Sequence, residues 1–158
     1  MWPEPVERVA RELRAAAVDA TIQEFPEGTP TAQAAAEAVG CRLDQIVKSL
    51  VFVCDGVFVL AMVPGDRRAD EGRVAEAAGA GEVRVARASE VVEATGFEPG
   101  GVAPFPLAAV EQVFIETTLL QHDRVWIGAG TDAHMCGLGP TDLQRLSGAW
   151  TADLVGPR

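Results

Sequence analysis

The chain has no asparagine and a single lysine, Lys48; its other twelve basic residues are all arginine. Cysteine is scarce. Cys41, Cys54 and Cys136 form an odd set with no C-x-x-C pair, which argues against a disulfide framework or a Cys-rich zinc site. With His122 and His134 as the only histidines, a structural metal would be short of soft ligands, so neither metal nor cofactor is expected. No apolar run nears the roughly 18 to 20 residues of a membrane span; Leu50 to Val63 is broken by Asp55-Gly56. Met1 to Arg14 mixes acids and bases without an apolar core, unlike a secretion signal, so the expectation is a cytoplasmic protein with no membrane contact. Positive charge is also short. Thirteen basic residues against twenty-three acidic ones give −10, which excludes a broad phosphate-tracking surface. Any nucleic-acid contact must then be confined to a small pocket, or another protein must supply the affinity.

What is present reads as one domain over 1–158, 48% hydrophobic and 23% charged, with no repeat or linker. Val6, Val9, Ala10, Leu13 and Ala17 give Pro3 to Ala17 a helical apolar stripe. Thr21 to Phe25 alternates as a short strand. Thr31 is a good N-cap for a helix over Ala32 to Val39, with Gly40 just past its end. A short helix over Leu43 to Val47 leads into the run Lys48 to Cys54. Asp55-Gly56 joins that run to Val57–Val63 in the clearest hairpin signal of the chain. Asp70 caps a helix to about Ala78, Glu82 to Ala86 is a strand, and Ser89 opens a helix that Gly96 ends. Val113 to Glu116, Val125 to Ala129 and His134 to Leu138 are short strands, Thr141 to Leu146 a helix, and Trp150 to Leu154 a last strand. These elements predict an α/β domain of the α+β type, its mixed, largely antiparallel curved sheet flanked by helices.

Four places could carry chemistry. Lys48 stands where a helix meets an apolar strand. A compact ammonium differs from a guanidinium fork in geometry and in how readily its pKa moves, whereas simple snorkelling would suit arginine as well. The loop Gly100-Gly101-Val102-Ala103-Pro104-Phe105-Pro106 lets backbone approach a ligand closely and can aim peptide N–H groups at a carbonyl oxygen; it is otherwise a rigid crossover. In Gly128-Ala129-Gly130-Thr131-Asp132-Ala133-His134, extended backbone would put Asp132, His134 and Cys136 on one face, open to reading as a metal site, a Cys–His nucleophile pair or structure. Arg67-Arg68 is a small basic spot, either a phosphate contact or a solvated pair.

In order, Thr31-Ala32, Ile46-Val47-Lys48-Ser49-Leu50, Gly65-Asp66-Arg67-Arg68, Gly100 to Phe105, Gly128-Ala129-Gly130 and Asp142-Leu143 resemble the YbaK-like aminoacyl-tRNA deacylases, a family that includes the editing domain of bacterial prolyl-tRNA synthetases. The resemblance spans about Thr21 to Leu154. It implies hydrolysis of the ester joining a wrong, small amino acid to the 3′ end of a tRNA, commonly tRNA for proline. Lys48 would engage the backbone of the terminal adenosine. The Gly100–Pro104 loop, with Gly101, would hold the aminoacyl carbonyl through backbone amides while water attacks with help from a ribose hydroxyl. Thr31, Phe52, Arg67, Arg68, Phe105, Gly128, Gly130 and His134 would contact substrate, with Phe52, Val63 and Phe105 lining the aminoacyl pocket. The partners implied are the tRNA acceptor end and prolyl-tRNA synthetase. A non-catalytic module binding a nucleotide or aminoacyl group in the same pocket is the alternative.

Overall fold

Local capping chemistry sets most of the element boundaries. In the computed structural model, which describes residues 1–157, the order is α1 (Glu4–Ala16), β1 (Ala20–Glu24), α2 (Ala32–Val39), β2 (Val47–Cys54), β3 (Val57–Pro64), α3 (Glu71–Ala78), β4 (Val83–Val85), α4 (Ala88–Thr95), β5 (Gln112–Glu116), β6 (Val125–Gly128), β7 (His134–Leu138), α5 (Pro140–Ser147) and β8 (Trp150–Ala152). Thr31 Oγ1 accepts from Ala34 N–H at 3.0 Å to open α2, and Gly40 closes it at φ 77. Asp70 opens α3 in the same way. The start of α4 departs from expectation. Glu90, not Ser89, closes the N-terminus by accepting from Arg87 N–H at 2.9 Å, so the helix begins one residue earlier.

Two further boundaries shift. The helix expected over Leu43 to Val47 is only a 3₁₀ turn, Leu43–Gln45, because Val47 is drawn into pairing with Pro64. The last strand stops at Ala152, and Leu154 N–H instead donates to Glu116 Oε1 at 2.8 Å. Glu116, though buried, also accepts from Thr118 N–H at 2.8 Å, which fixes an unexpected 3₁₀ turn over Thr117–Gln121.

The domain is the mixed α/β arrangement expected, and four of its six strand pairings are antiparallel. The strands divide into two sheets rather than one: β1-β7-β6, and β4-β2-β3-β5-β8 with β3–β5 and β5–β8 parallel. A single parallel bridge, Ile46 to Trp126, joins them. Beyond that bridge the 100–102 loop lies against β6: a Cβ on Gly128 would fall 2.5 Å from Val102 O.

Both faces of β3 are covered, which explains its unbroken apolar run. Leu60 and Met62 join the larger core with Val9, Val51, Phe105, Ile127 and Leu138. Val59, Ala61 and Val63 pack under α3 with Phe52, Val74 and Leu154. A small third cluster sets α2 against Ile46 and Met135.

Candidate functional site

β2 projects its residues alternately to two faces. Val47 and Val51 enter the larger core, while Lys48, Leu50 and Phe52 share the opposite face. The strand has β3 on one side. On its other side β4 pairs no further back than Phe52, and β6 approaches the start through the Ile46–Trp126 bridge. Alongside runs a cleft of about 420 Å³ lined by Thr31, Ala35, Lys48, Ser49, Gly100, Val102, Gly128 and Met135, among others. A second hollow of about 610 Å³ shares Lys48 and Leu50 and adds Phe52, Arg68 and Val85.

The lysine is fixed in place. Its Nζ donates to the Arg67 carbonyl, and burial holds its pKa below the ordinary lysine value; Asp66 partly offsets this and Arg68 adds to it. A half-desolvated cation at a cleft edge attracts an anion or a polar oxygen more strongly than an exposed one would.

Four sequence-expected residues, Lys48, Gly100, Thr31 and Gly128, meet at the first cleft. Phe52 and Arg68 belong to the second hollow. The others lie elsewhere. Arg67 is turned away, its guanidinium donating to the carbonyls of Val155, Gly156 and Pro157 at 3.2 Å each, so it clamps the C-terminal segment. Phe105 and Val63 are packed into the two cores instead of lining an aminoacyl pocket, because their strand or loop positions face inward. Pro104 is buried behind the loop. Gly130 serves close packing: a Cβ there would sit 2.7 Å from the Pro5 backbone.

The glycine pair divides its work. Gly100 has φ +91, and a Cβ there would meet nothing nearer than 3.9 Å. Its N–H donates to no backbone acceptor among the described residues. Gly101 N–H is already given to Glu98 O at 3.0 Å, and a Cβ there would lie 2.7 Å from Thr131 Cα and 2.9 Å from Gly130 O. Gly101 therefore seats the loop, and Gly100 faces the cleft.

His134 and Cys136 do not form a nucleophile pair. His134 Nδ1 is 2.6 Å from Thr131 Oγ1, its Nε2 is 3.7 Å from Glu24 Oε2, and Trp2 meets the ring edge-on. The Cys136 thiol is buried, and desolvation pushes its pKa up to about 12, so it carries no thiolate at neutral pH. Ser49, Val102 and Met135 were missed from the sequence. Ser49 could have been found from its place beside Lys48; Val102 and Met135 carry no comparable sign.

A mixed α/β domain in which a lysine and a glycine loop border one cleft defines a candidate small-ligand site. Residues 26–146 match the aminoacyl-tRNA editing domain, and the chain belongs to that family. It is 33% identical over 127 residues to "Uncharacterized protein YwhH" of Bacillus subtilis (strain 168), covering 80% of each chain. It is 35% identical over 119 residues to the proline–tRNA ligase of Nitratidesulfovibrio vulgaris (strain DP4), covering 73% of this chain but 21% of the ligase. Among solved structures, one described as "a putative trans-editing enzyme for prolyl tRNA synthetase" superposes with a TM-score of 0.90 at 34% identity, covering 99% of this chain and all of that one.

Proposed function

We propose that this chain is a trans-editing hydrolase that removes a wrong, small amino acid from tRNA, foremost from tRNA for proline. The observation that carries the reading is the meeting of Lys48, Gly100, Thr31 and Gly128 along one cleft beside β2. The kinship with prolyl-tRNA ligases and with the trans-editing structure supports the substrate class.

The reaction joins a water oxygen to the ester carbonyl carbon, breaks the bond to the ribose oxygen, and returns a proton to that oxygen. Lys48 binds the backbone of the terminal adenosine as a point charge. Gly100 N–H, free of backbone acceptors, stabilises negative charge as it develops on the carbonyl oxygen. No protein nucleophile is called for, and a ribose hydroxyl assists the water. The acidic surface suits a domain that grasps only the acceptor end, with prolyl-tRNA synthetase as the partner supplying further tRNA affinity.

The test is a panel of tRNAs charged with alanine, serine, cysteine, threonine or proline, followed for release of the amino acid. At least one mischarged ester should be hydrolysed well above its spontaneous rate, with prolyl-tRNA spared. Acceleration of none, or tight binding of aminoacyl-tRNA without turnover, refutes the enzyme reading.

A further inference from the structure

The hydrogen-bonding directions along β2 alternate between its two edges. Ile46 O accepts from Gly65 N–H at 2.8 Å on the β3 side, and Lys48, Leu50 and Phe52 face β3 after it. Val51 O points the other way and accepts from Ala86 N–H at 3.0 Å; Asp55 N–H, also outward, donates to Glu82 O. At the opposite end, the Ile46–Trp126 bridge covers the start of the strand. Ser49 lies between. Its N–H and C=O point away from β3, beyond the reach of the β4 ladder, which starts at Phe52. Its side chain adds an unmet demand, since Ser49 Oγ is buried without a hydrogen-bond partner. Buried polar groups are nearly always paired, and this one borders the cleft that Gly100 and Gly128 face.

Resting on the deacylase reading, we propose that the aminoacyl group docks on the β2 edge as a single added strand residue, its α-ammonium donating to Ser49 C=O and its ester carbonyl accepting from Ser49 N–H. A directly opposed antiparallel pair exchanges these two bonds, and an aminoacyl ester carries both groups on one residue. The direction is then fixed. The ester end runs toward the start of β2, where Lys48 waits for the nucleotide. Cross-strand side chains of such a pair share one face at about 4.5–5.5 Å, so the substrate side chain lies beside that of Ser49. Ser49 becomes the positioning residue, and its Cβ substituent limits side-chain size.

The first experiment compares wild-type turnover of alanyl-tRNA and lactyl-tRNA, each relative to its spontaneous hydrolysis. Replacing the ammonium by a hydroxyl should cost at least about tenfold, as expected for loss of a charge-assisted hydrogen bond. Equal acceleration overturns the proposal. The second uses Ser49→Pro, which deletes only an outward N–H, because Ser49 donates nothing to β3. About a hundredfold loss of kcat/KM is expected; a folded Ser49→Pro protein with wild-type kcat/KM refutes the pairing. Ser49→Val should lose seryl- and threonyl-tRNA before glycyl- and alanyl-tRNA, and an unchanged preference counts against the assignment. That arm and the lactyl comparison decide the matter if the proline variant does not fold. Failure of the deacylase reading is separable. If wild type hydrolyses no ester, calorimetric binding of 3′-alanylamino-3′-deoxyadenosine is compared with its lactyl counterpart. Tighter binding of the alanyl compound keeps the docking mode, and equal affinities end it.

Discussion

Adding one methyl group to each loop glycine distinguishes packing from catalysis. At Gly101 an alanine Cβ would sit 2.7 Å from Thr131 Cα and 2.9 Å from Gly130 O, both backbone atoms that cannot swing aside. Overpacking of this kind costs about 1–3 kcal/mol, and a rigid neighbour puts Gly101→Ala near the upper end. For a chain of this size each kcal/mol lowers Tm by roughly 2–4 °C, so a fall of about 6–12 °C is expected. At Gly100 the nearest non-adjacent atom to an added Cβ is Asp132 Cβ at 3.9 Å, and only the φ of +91 resists. That strain is worth about 1–2 kcal/mol, or roughly 2–8 °C. The rates should fall in the opposite order. Disturbing a carbonyl donor commonly costs about two to three orders of magnitude, so Gly100→Ala should lose far more deacylation than its small Tm change explains. The loss in Gly101→Ala should follow its stability. This differs from the expectation that Gly101 shares with Gly100 in holding the aminoacyl carbonyl. Scanning calorimetry and single-turnover deacylation on the same preparations provide the measurements. Wild-type turnover by Gly100→Ala would refute the carbonyl-holding role, and an unshifted Tm for Gly101→Ala would refute the close approach.

Lys48→Ala should abolish deacylation while leaving a folded protein, and Lys48→Arg should remain poor because a fork cannot reproduce a point contact that reaches the Arg67 carbonyl; normal turnover by either variant refutes the role. Burial lowers the Lys48 pKa, so the unfolded chain holds that proton more tightly. Stability should therefore rise with pH from the folded value up to the ordinary 10.5, a rise that Lys48→Met flattens in a Tm series. Glu90 is held at about 2 by Arg84 and the Arg87 N–H, below its ordinary 4.5; its contribution is complete above 4.5 and lost as pH falls through about 2, and Glu90→Gln should flatten that acid limb. Cys136 should resist iodoacetamide in the native protein and react once guanidinium unfolds it, and rapid native labelling would contradict its burial.

Much of the fold was legible because it rests on short-range chemistry. Thr31 and Asp70 begin helices through bonds three residues away, Gly40 and Gly96 end them, and Asp55-Gly56 turns the hairpin. Of the residues that stand out by type, Lys48 and Gly100 both line the cleft, whereas Gly101 does not. What the sequence could not supply was everything set by partners far along the chain. Phe105 and Val63 look like pocket residues by type, yet side-chain direction depends on which face their backbone turns to the core. Arg67 and Arg68 are indistinguishable as neighbours. Only tertiary structure commits Arg67 to the C-terminal carbonyls ninety residues away and leaves Arg68 at the second hollow. The division into two sheets and the seating of the 100–102 loop against Gly128 are contacts that no local pattern encodes. Residue type alone determined that Lys48 and a glycine loop were present; long-range packing decided that they border one cleft.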